Sequence, residues 1–163
     1  MEIKKAPPTS RLTEPDDEVT HDFSTGRLQE SAAQTDELTE NDFLILVVDD
    51  VIDNSVLISL DLQAEGYRVI TASNGEEAVR VASVTKPDII LMDIGMPGLD
   101  GLGATRKIRD NEALREVPII AVTAFSTDGF RRAAYDAGFS GYLTKPLDFE
   151  RLHKLIQGLL PVR

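Results

Sequence analysis

Ile89-Ile90-Leu91-Met92-Asp93, followed by Ile94-Gly95-Met96-Pro97-Gly98, decides how this chain folds. Apolar residues in an unbroken run, with no polar alternation, read as a strand buried on both faces, the habit of a parallel sheet. Gly95, Pro97 and Gly98 read as the loop that leaves the strand. An acid where such a strand meets its loop lies on the edge at which open α/β sheets build their sites. Asp93 is therefore the first candidate for a reactive group.

Working outward, apolar strands alternate with helical patterns. Upstream, residues 43–48 form an apolar strand that ends in the pair Asp49-Asp50. A helix is expected over 54–65, because Val56, Leu57, Leu60 and Ala64 recur at helical spacing, with Asp53 as its cap and Gly66 as its stop. Residues 67–72 are rich in β-branched side chains and read as a strand; Asn74-Gly75 turns the chain into a helix over 76–84, and the central strand covers 88–92. Downstream, helices are expected over 100–109 and 127–137, a strand over 117–123, a short strand from 139 or 140 to 143, and a last helix over 148–159 capped by Asp148. Strands alternating with helices give a parallel sheet covered on both faces. Five strands joined by right-handed crossovers suit a doubly wound, flavodoxin-like α/β fold of strand order 2-1-3-4-5.

Residues 1–42 differ in kind. They carry Pro7, Pro8 and Pro15, an Asp16-Asp17-Glu18 run and scattered apolar residues, so an acidic, disordered extension is expected before a folded domain over 43–160. Within the extension the pattern allows a short helix over 27–38, capped by Thr25 with Leu28 and Ala32 on one face. The charge is uneven: residues 1–42 hold 11 acids against 4 bases and residues 43–163 hold 17 against 13, so the parts carry −7 and −4 of the total of −11. That balance argues against direct nucleic-acid binding, which needs a basic face. The absence of cysteine excludes disulfides and thiolate metal sites. No apolar stretch is long enough to cross a membrane, and the N-terminus lacks the apolar core of a secretory signal, so the cytoplasm is the expected compartment.

In the expected strand order, polar groups at the strand ends converge on one crevice: Asp49 and Asp50 from the first strand, Asp93 from the third, Thr123 from the fourth and Lys145 from the loop after the fifth. Carboxylates packed together repel unless something compensates, and a divalent cation is the simplest compensation. Hard oxygen ligands suit Mg²⁺, with Mn²⁺ as a substitute. Asp50 and Asp93 are the best direct ligands, Asp49 can act through metal-bound water, and the Gly95 carbonyl can complete the protein's share. The chemistry that fits is phosphoryl transfer: the Asp93 carboxylate attacks phosphorus while Lys145 and Thr123 help neutralise the transferring oxygens. An acyl phosphate at Asp93 adds charge and acceptor oxygens, drawing Thr123 inward and freeing space for Tyr142 to rotate, which changes the face of the fourth helix and fifth strand.

These residues carry a family resemblance. From about residue 43 to 159 the chain resembles the receiver domain of two-component response regulators, through Val47-Val48-Asp49-Asp50, Met92-Asp93-Ile94-Gly95-Met96-Pro97-Gly98-Leu99-Asp100-Gly101, Ala121-Val122-Thr123-Ala124 and Gly141-Tyr142-Leu143-Thr144-Lys145-Pro146. The resemblance implies that Asp93 is the phosphoacceptor, that Asp49 and Asp50 are the acidic pair for Mg²⁺, that Thr123 and Tyr142 are switch residues, and that Lys145 completes the set. It also implies a cis peptide before Pro146. The implied partners are a sensor histidine kinase or histidine phosphotransfer protein as donor and a downstream protein effector, with a phosphorylation-dependent homodimer as an open possibility. The domain would modify and demodify itself without turning over an external substrate, so it is not expected to be an enzyme in the metabolic sense.

Two positions near the acceptor pull in opposite directions. Gly95 opens the site to water, whereas Phe125 brings an apolar ring that can shield an acyl phosphate. Rival readings are weaker. A phosphorylation-independent protein-binding adaptor needs no carboxylate cluster. A phosphatase with an Asp nucleophile usually carries a second Asp two residues on, where Gly95 stands here. A nucleotide fold would show a Gly-rich loop where Asp50-Val51-Ile52-Asp53 stands. Arg131-Arg132 reads as a solvated helix face on the output side, and His21 and His153 as ordinary residues without metal-ligand neighbours.

Overall fold

The computed structural model describes residues 42–162; residues 1–41 of the expected extension, with its helix over 27–38 and His21, lie outside these residues. Five parallel strands, β1 (Leu44–Val48), β2 (Arg68–Ala72), β3 (Ile89–Met92), β4 (Ile119–Thr123) and β5 (Gly141–Thr144), form one sheet of order β2-β1-β3-β4-β5. The helices are α1 (Ile52–Ala64), α2 (Gly75–Thr85), α3 (Gly101–Asp110), α4 (Asp128–Ala137) and α5 (Phe149–Leu159). A single 3-10 turn, Glu112–Leu114, precedes β4 and was not expected from the pattern.

The unbroken apolar runs follow from burial on both faces. Leu46, Val48, Ile90, Met92, Ile119 and Ala121 pack with Ala78, Ala82, Ala104, Ile108, Ala134 and Ala137, so α2, α3 and α4 cover one face. Their neighbours in the strands, Ile45, Val47, Ile89, Leu91, Ile120 and Val122, pack with Ile58, Leu62, Leu152 and Ile156 of α1 and α5 on the other. Alternation of side chains along a strand divides each run between the two cores.

Four helices start where a polar cap is available. Asn74 accepts from the Glu77 N–H, Asp100 from Gly103, Thr127 from Phe130 and Asp148 from Arg151. The first helix departs from expectation: it begins at Ile52, its N-cap is Val51 with no side-chain bond, and Asp53 lies within the first turn rather than capping it. There Asp53 still faces the positive end of the helix dipole. The expected face is also wrong. Val56, Leu57, Leu60 and Ala64 are exposed, and Ser55, Ile58 and Leu62 are the buried residues. A helix with apolar residues on every side gives no single stripe to read.

Arg109, in the last turn of α3, fastens one end of the domain. Its Nε and Nη2 donate to the Gly138 carbonyl at 3.0 and 2.8 Å, and its Nη1 donates to Leu114 at 3.1 Å and Val117 at 2.8 Å. Burial lowers the guanidinium pKa, and Glu116 partly opposes that. Arg109→Lys is expected to lower unfolding stability by about 2–4 kcal/mol, since one ammonium cannot reach carbonyls spread around a planar fork. Urea unfolding checks this; a midpoint within error of wild type would show the carbonyls are satisfied otherwise.

Candidate functional site

The strand ladder carries the polar residues one step beyond the sheet. The Asp49 N–H bonds the Ala72 carbonyl at 3.2 Å, the Asp93 N–H bonds Val48 at 2.9 Å, and the Lys145 N–H bonds Thr123 at 2.9 Å. Each backbone is thus fixed by a neighbouring strand before its side chain does anything. The chain passes from β1 to β2 on one side and then to β3 on the other, so Asp49 and Asp93 stand at the topological switch point. Gly101 sets the approach of α3. A Cβ there would lie 2.2 Å from the Asp93 carbonyl oxygen, so only glycine lets the helix start against the Asp93 loop.

Asp49, Asp93 and Lys145 form one unit. Lys145 Nζ donates to Asp49 Oδ2 at 2.7 Å and to Asp93 Oδ2 at 3.0 Å. The other oxygens are held from their own loops: Asp49 Oδ1 accepts from the Val51 N–H at 2.8 Å, and Asp93 Oδ1 from the Gly95 N–H at 3.0 Å. Asn54 Nδ2 adds a contact to Asp49 Oδ2 at 3.2 Å, a partner the sequence reading missed. Asp49 and Asp93 are 4 and 7% exposed, Thr123 is fully buried, and Asp50 is exposed. The bond before Pro146 is cis, as expected.

One carboxylate oxygen from each of Asp49, Asp50 and Asp93 lies within 4.8 Å of the others. The set carries three negative charges against the one ammonium of Lys145, and its donors are hard oxygens, so a divalent cation such as Mg²⁺ fits it. Burial works to lower the Lys145 pKa, but its hydrogen bonds and charge contacts with Asp49 and Asp93 outweigh that and raise it. A lysine whose pKa is higher folded than unfolded contributes stability that is complete below its ordinary value of 10.5 and is lost as pH rises through the folded value. Thermal unfolding of the wild type is therefore expected to fall above about pH 10.5 more steeply than that of Lys145→Met; parallel curves would show that the ammonium is not linked to folding.

The remaining candidates gather round the loop after β4. Thr123 Oγ1 accepts from the Phe125 N–H at 3.4 Å. The Tyr142 ring already lies inward, 4% exposed, so the inward rotation expected of it has no distance left to cover. Its hydroxyl donates to the Phe125 carbonyl at 2.6 Å, and the Arg131 guanidinium sits 4.8 Å from its ring centroid. Burial raises the Tyr142 pKa, with Arg131 acting the other way. Arg131 is thus not simply solvated. His153 is likewise not isolated: its Nε2 lies 2.8 Å from Asp61 Oδ2, bringing α5 against α1.

A family model described as the response regulator receiver domain matches residues 45–157. The chain belongs to the response regulator receiver family. The receiver domain is 41% identical over 115 residues to the response regulator PleD of Caulobacter vibrioides, covering 71% of this chain and a quarter (25%) of PleD's length. It is 36% identical over 116 residues to the polar-differentiation response regulator DivK of Brucella anthropi, covering 71% of this chain and 94% of DivK. Among solved structures, the receiver domain of the sensor histidine kinase PA1611 from Pseudomonas aeruginosa, with magnesium coordinated in its active-site cleft, aligns with TM-score 0.68 and 42% identity, over 72% of this chain and 97% of that one. The chemotaxis protein CheY4 of Vibrio cholerae aligns with TM-score 0.70 and 31% identity, over 73% of this chain and 99% of that one. Receiver domains of this family are phosphorylation-dependent switches that catalyse their own modification and its removal, and the aspartate cluster places this chain among them. Among the described residues no helix is long and apolar enough to cross a membrane.

Proposed function

We propose that Asp93 accepts a phosphoryl group from a phosphohistidine of a sensor histidine kinase or histidine phosphotransfer protein, and that the modified domain signals through a protein effector. The observation that carries this reading is the pair of contacts from Lys145 Nζ to Asp49 and Asp93, which poises a buried carboxylate beside a cation at the switch point of the sheet. An Asp93 oxygen attacks phosphorus, the P–N bond of the donor breaks, and its electron pair stays on the imidazole, which is then protonated by solvent. Asp50, Asp93 and the Gly95 carbonyl would hold Mg²⁺, with Asp49 supporting it at one remove. The cation would supply charge neutralisation for the transferring oxygens.

The protein's own groups do the rest. Lys145 turns from the Asp93 carboxylate to a phosphoryl oxygen. Thr123 leaves its long contact with the Phe125 N–H and donates to another. That movement disturbs the loop whose carbonyl holds Tyr142, and so reaches the α4–β5 face, where an effector or a second copy of the domain reads the change. Residues 43–160 are the switching unit, residues 1–42 an acidic appendage to it, and the cytoplasm is where a phosphohistidine donor of this kind is met.

The test is the intact mass of the full chain after incubation with a small acyl phosphate. The expected gain is one phosphoryl group, dependent on Mg²⁺, removed by EDTA before addition and labile to hydroxylamine. A chain that binds Mg²⁺ weakly and never gains mass would be a phosphorylation-independent adaptor on the same fold.

A further inference from the structure

β2 is an edge strand, and among the described residues no strand pairs with its outer side. The Arg68 N–H bonds the Phe43 carbonyl, and the Ala72 carbonyl accepts from the Asp49 N–H. Arg68, Ile70 and Ala72 thus turn their backbone groups toward β1, and alternation aims the N–H and C=O of Val69 and Thr71 outward. The residues flanking the strand are satisfied: the Tyr67 N–H bonds Leu62 and the Ser73 N–H bonds Glu77 Oε2. Four open backbone groups remain on a strand, Arg68-Val69-Ile70-Thr71-Ala72, with one charge and no proline, so the usual defences of an edge are thin. Beside it runs α1. Ile52, Val56 and Leu60 recur every four residues on one face of that helix and are 72, 49 and 61% exposed. With Val69 and Thr71 they line a groove of about 470 Å³. The core uses Ser55, Ile58 and Leu62 of α1 instead, so nothing within the fold needs this apolar stripe.

We propose that a second copy of this chain pairs with the β2 edge, antiparallel and about a two-fold axis beside Ile70, so that two five-stranded sheets become one of ten. The strand is complementary to itself in that register. Val69 of each copy stands opposite Thr71 of the other, and the two exchange N–H···O=C bonds, which uses all four open groups on each edge. Their β-branched side chains lie together on the α1 side of the sheet. The axis keeps both α1 helices on that side, where Val56 and Leu60 meet the same residues of the second copy and leave water. Charge favours the same direction. Arg68, whose side chain is 66% exposed with only a 3.5 Å contact to Asp42, begins the strand, and Glu77 lies just past its end. Antiparallel pairing sets each beside its opposite, whereas parallel pairing would set like against like. A two-fold contact also closes at two copies. The two Asp93 sites then lie on opposite edges of the joined sheet, both α4–β5 faces stay free, and pairing does not depend on phosphorylation.

The experiment follows the full chain by analytical ultracentrifugation from micromolar to millimolar concentration, in EDTA and without a phosphoryl donor. The mass is expected to rise from that of one chain toward that of two. Hydrogen exchange across the same series is expected to slow several-fold at the Val69 and Thr71 amides, which are open in the single copy. Thr71→Pro removes an outward N–H and spares the ladder to β1, because proline is tolerated where an edge strand faces solvent. Leu60→Glu puts a charge into the stripe at a position that is already exposed. Each is expected to weaken association by about tenfold or more. Val84→Glu, in the last turn of α2 and 78% exposed, leaves association unchanged. Circular dichroism and thermal unfolding confirm that each variant is folded. A chain that stays single at every concentration overturns the proposal and leaves the edge to a strand of another protein. A dimer that survives both Thr71→Pro and Leu60→Glu, or that forms only after phosphoryl loading, overturns it equally and places the contact on another face.

Discussion

Asp93→Asn takes up no phosphoryl group from a small acyl phosphate at any Mg²⁺ concentration, while remaining folded. The amide is nearly isosteric with the carboxylate, and its oxygen can still accept the Gly95 N–H at the position where Asp93 Oδ1 now does so at 3.0 Å. Lys145 keeps its 2.7 Å contact with Asp49. What is lost is nucleophilicity, because an amide oxygen does not displace a phosphoryl group at neutral pH. The change also takes one of three clustered carboxylates from the cation site, so Mg²⁺ affinity falls by at least about tenfold, the loss that even an outer partner's removal causes at a metal site. Mass spectrometry reads the first effect and isothermal titration the second. Undiminished labelling in Asp93→Asn would move the acceptor to another residue and sink the reading of this site.

Lys145→Met is expected to lower stability through lost charge rather than lost packing. The lysine side chain is 21% exposed and its two carboxylate partners are 2 and 10% exposed, so removing the ammonium leaves two buried negative charges facing each other. Breaking a fully buried pair costs about 3–5 kcal/mol, and partial exposure of the lysine reduces this to about 2–4 kcal/mol at pH 7 in EDTA. One companion sign separates this cause from lost packing. Mg²⁺ supplies the missing charge: the variant regains roughly 2.7 kcal/mol at a hundredfold excess over its own dissociation constant, and at one fixed Mg²⁺ concentration it gains more than the wild type because it binds the cation more tightly. A deficit indifferent to Mg²⁺ would mean that the lysine stem, not its charge, matters.

Much of this was legible beforehand. Runs such as Ile89-Ile90-Leu91-Met92 and Ile119-Ile120-Ala121-Val122, short and bounded by turn residues, read as strands buried on both faces, and their alternation with helices suits the observed order β2-β1-β3-β4-β5. The acids and the lysine at strand ends were found because topology alone brings strand ends together. What stayed hidden depends on side-chain direction. Val56, Leu57 and Leu60 have the spacing of a core stripe but lie on the outside of α1, since Ile58 and Leu62 offer an equally good stripe and packing against β1 chose between them. Asp53 looked like a cap because an acid before a helix usually is one; here the buried Asp49 takes the Val51 N–H, and the helix begins earlier. The seating of Phe125 over Gly95 needs a ring torsion, which no spacing encodes.

The Arg109 fork has a consequence for how the domain breathes. It holds the Gly138 carbonyl at the end of α4, Leu114 in the 3-10 turn and Val117 just ahead of β4, all from the last turn of α3. A half-buried cation satisfied by carbonyls cannot release one of these segments without leaving charge and dipoles less well paired at the others. Fraying at three separate chain ends is thereby converted into one cooperative opening event, with a single free-energy threshold for all of them. Amide protons in these distant stretches of sequence would then exchange with solvent on a common clock, and the half of the sheet that lies farthest from β2 would behave as one foldon.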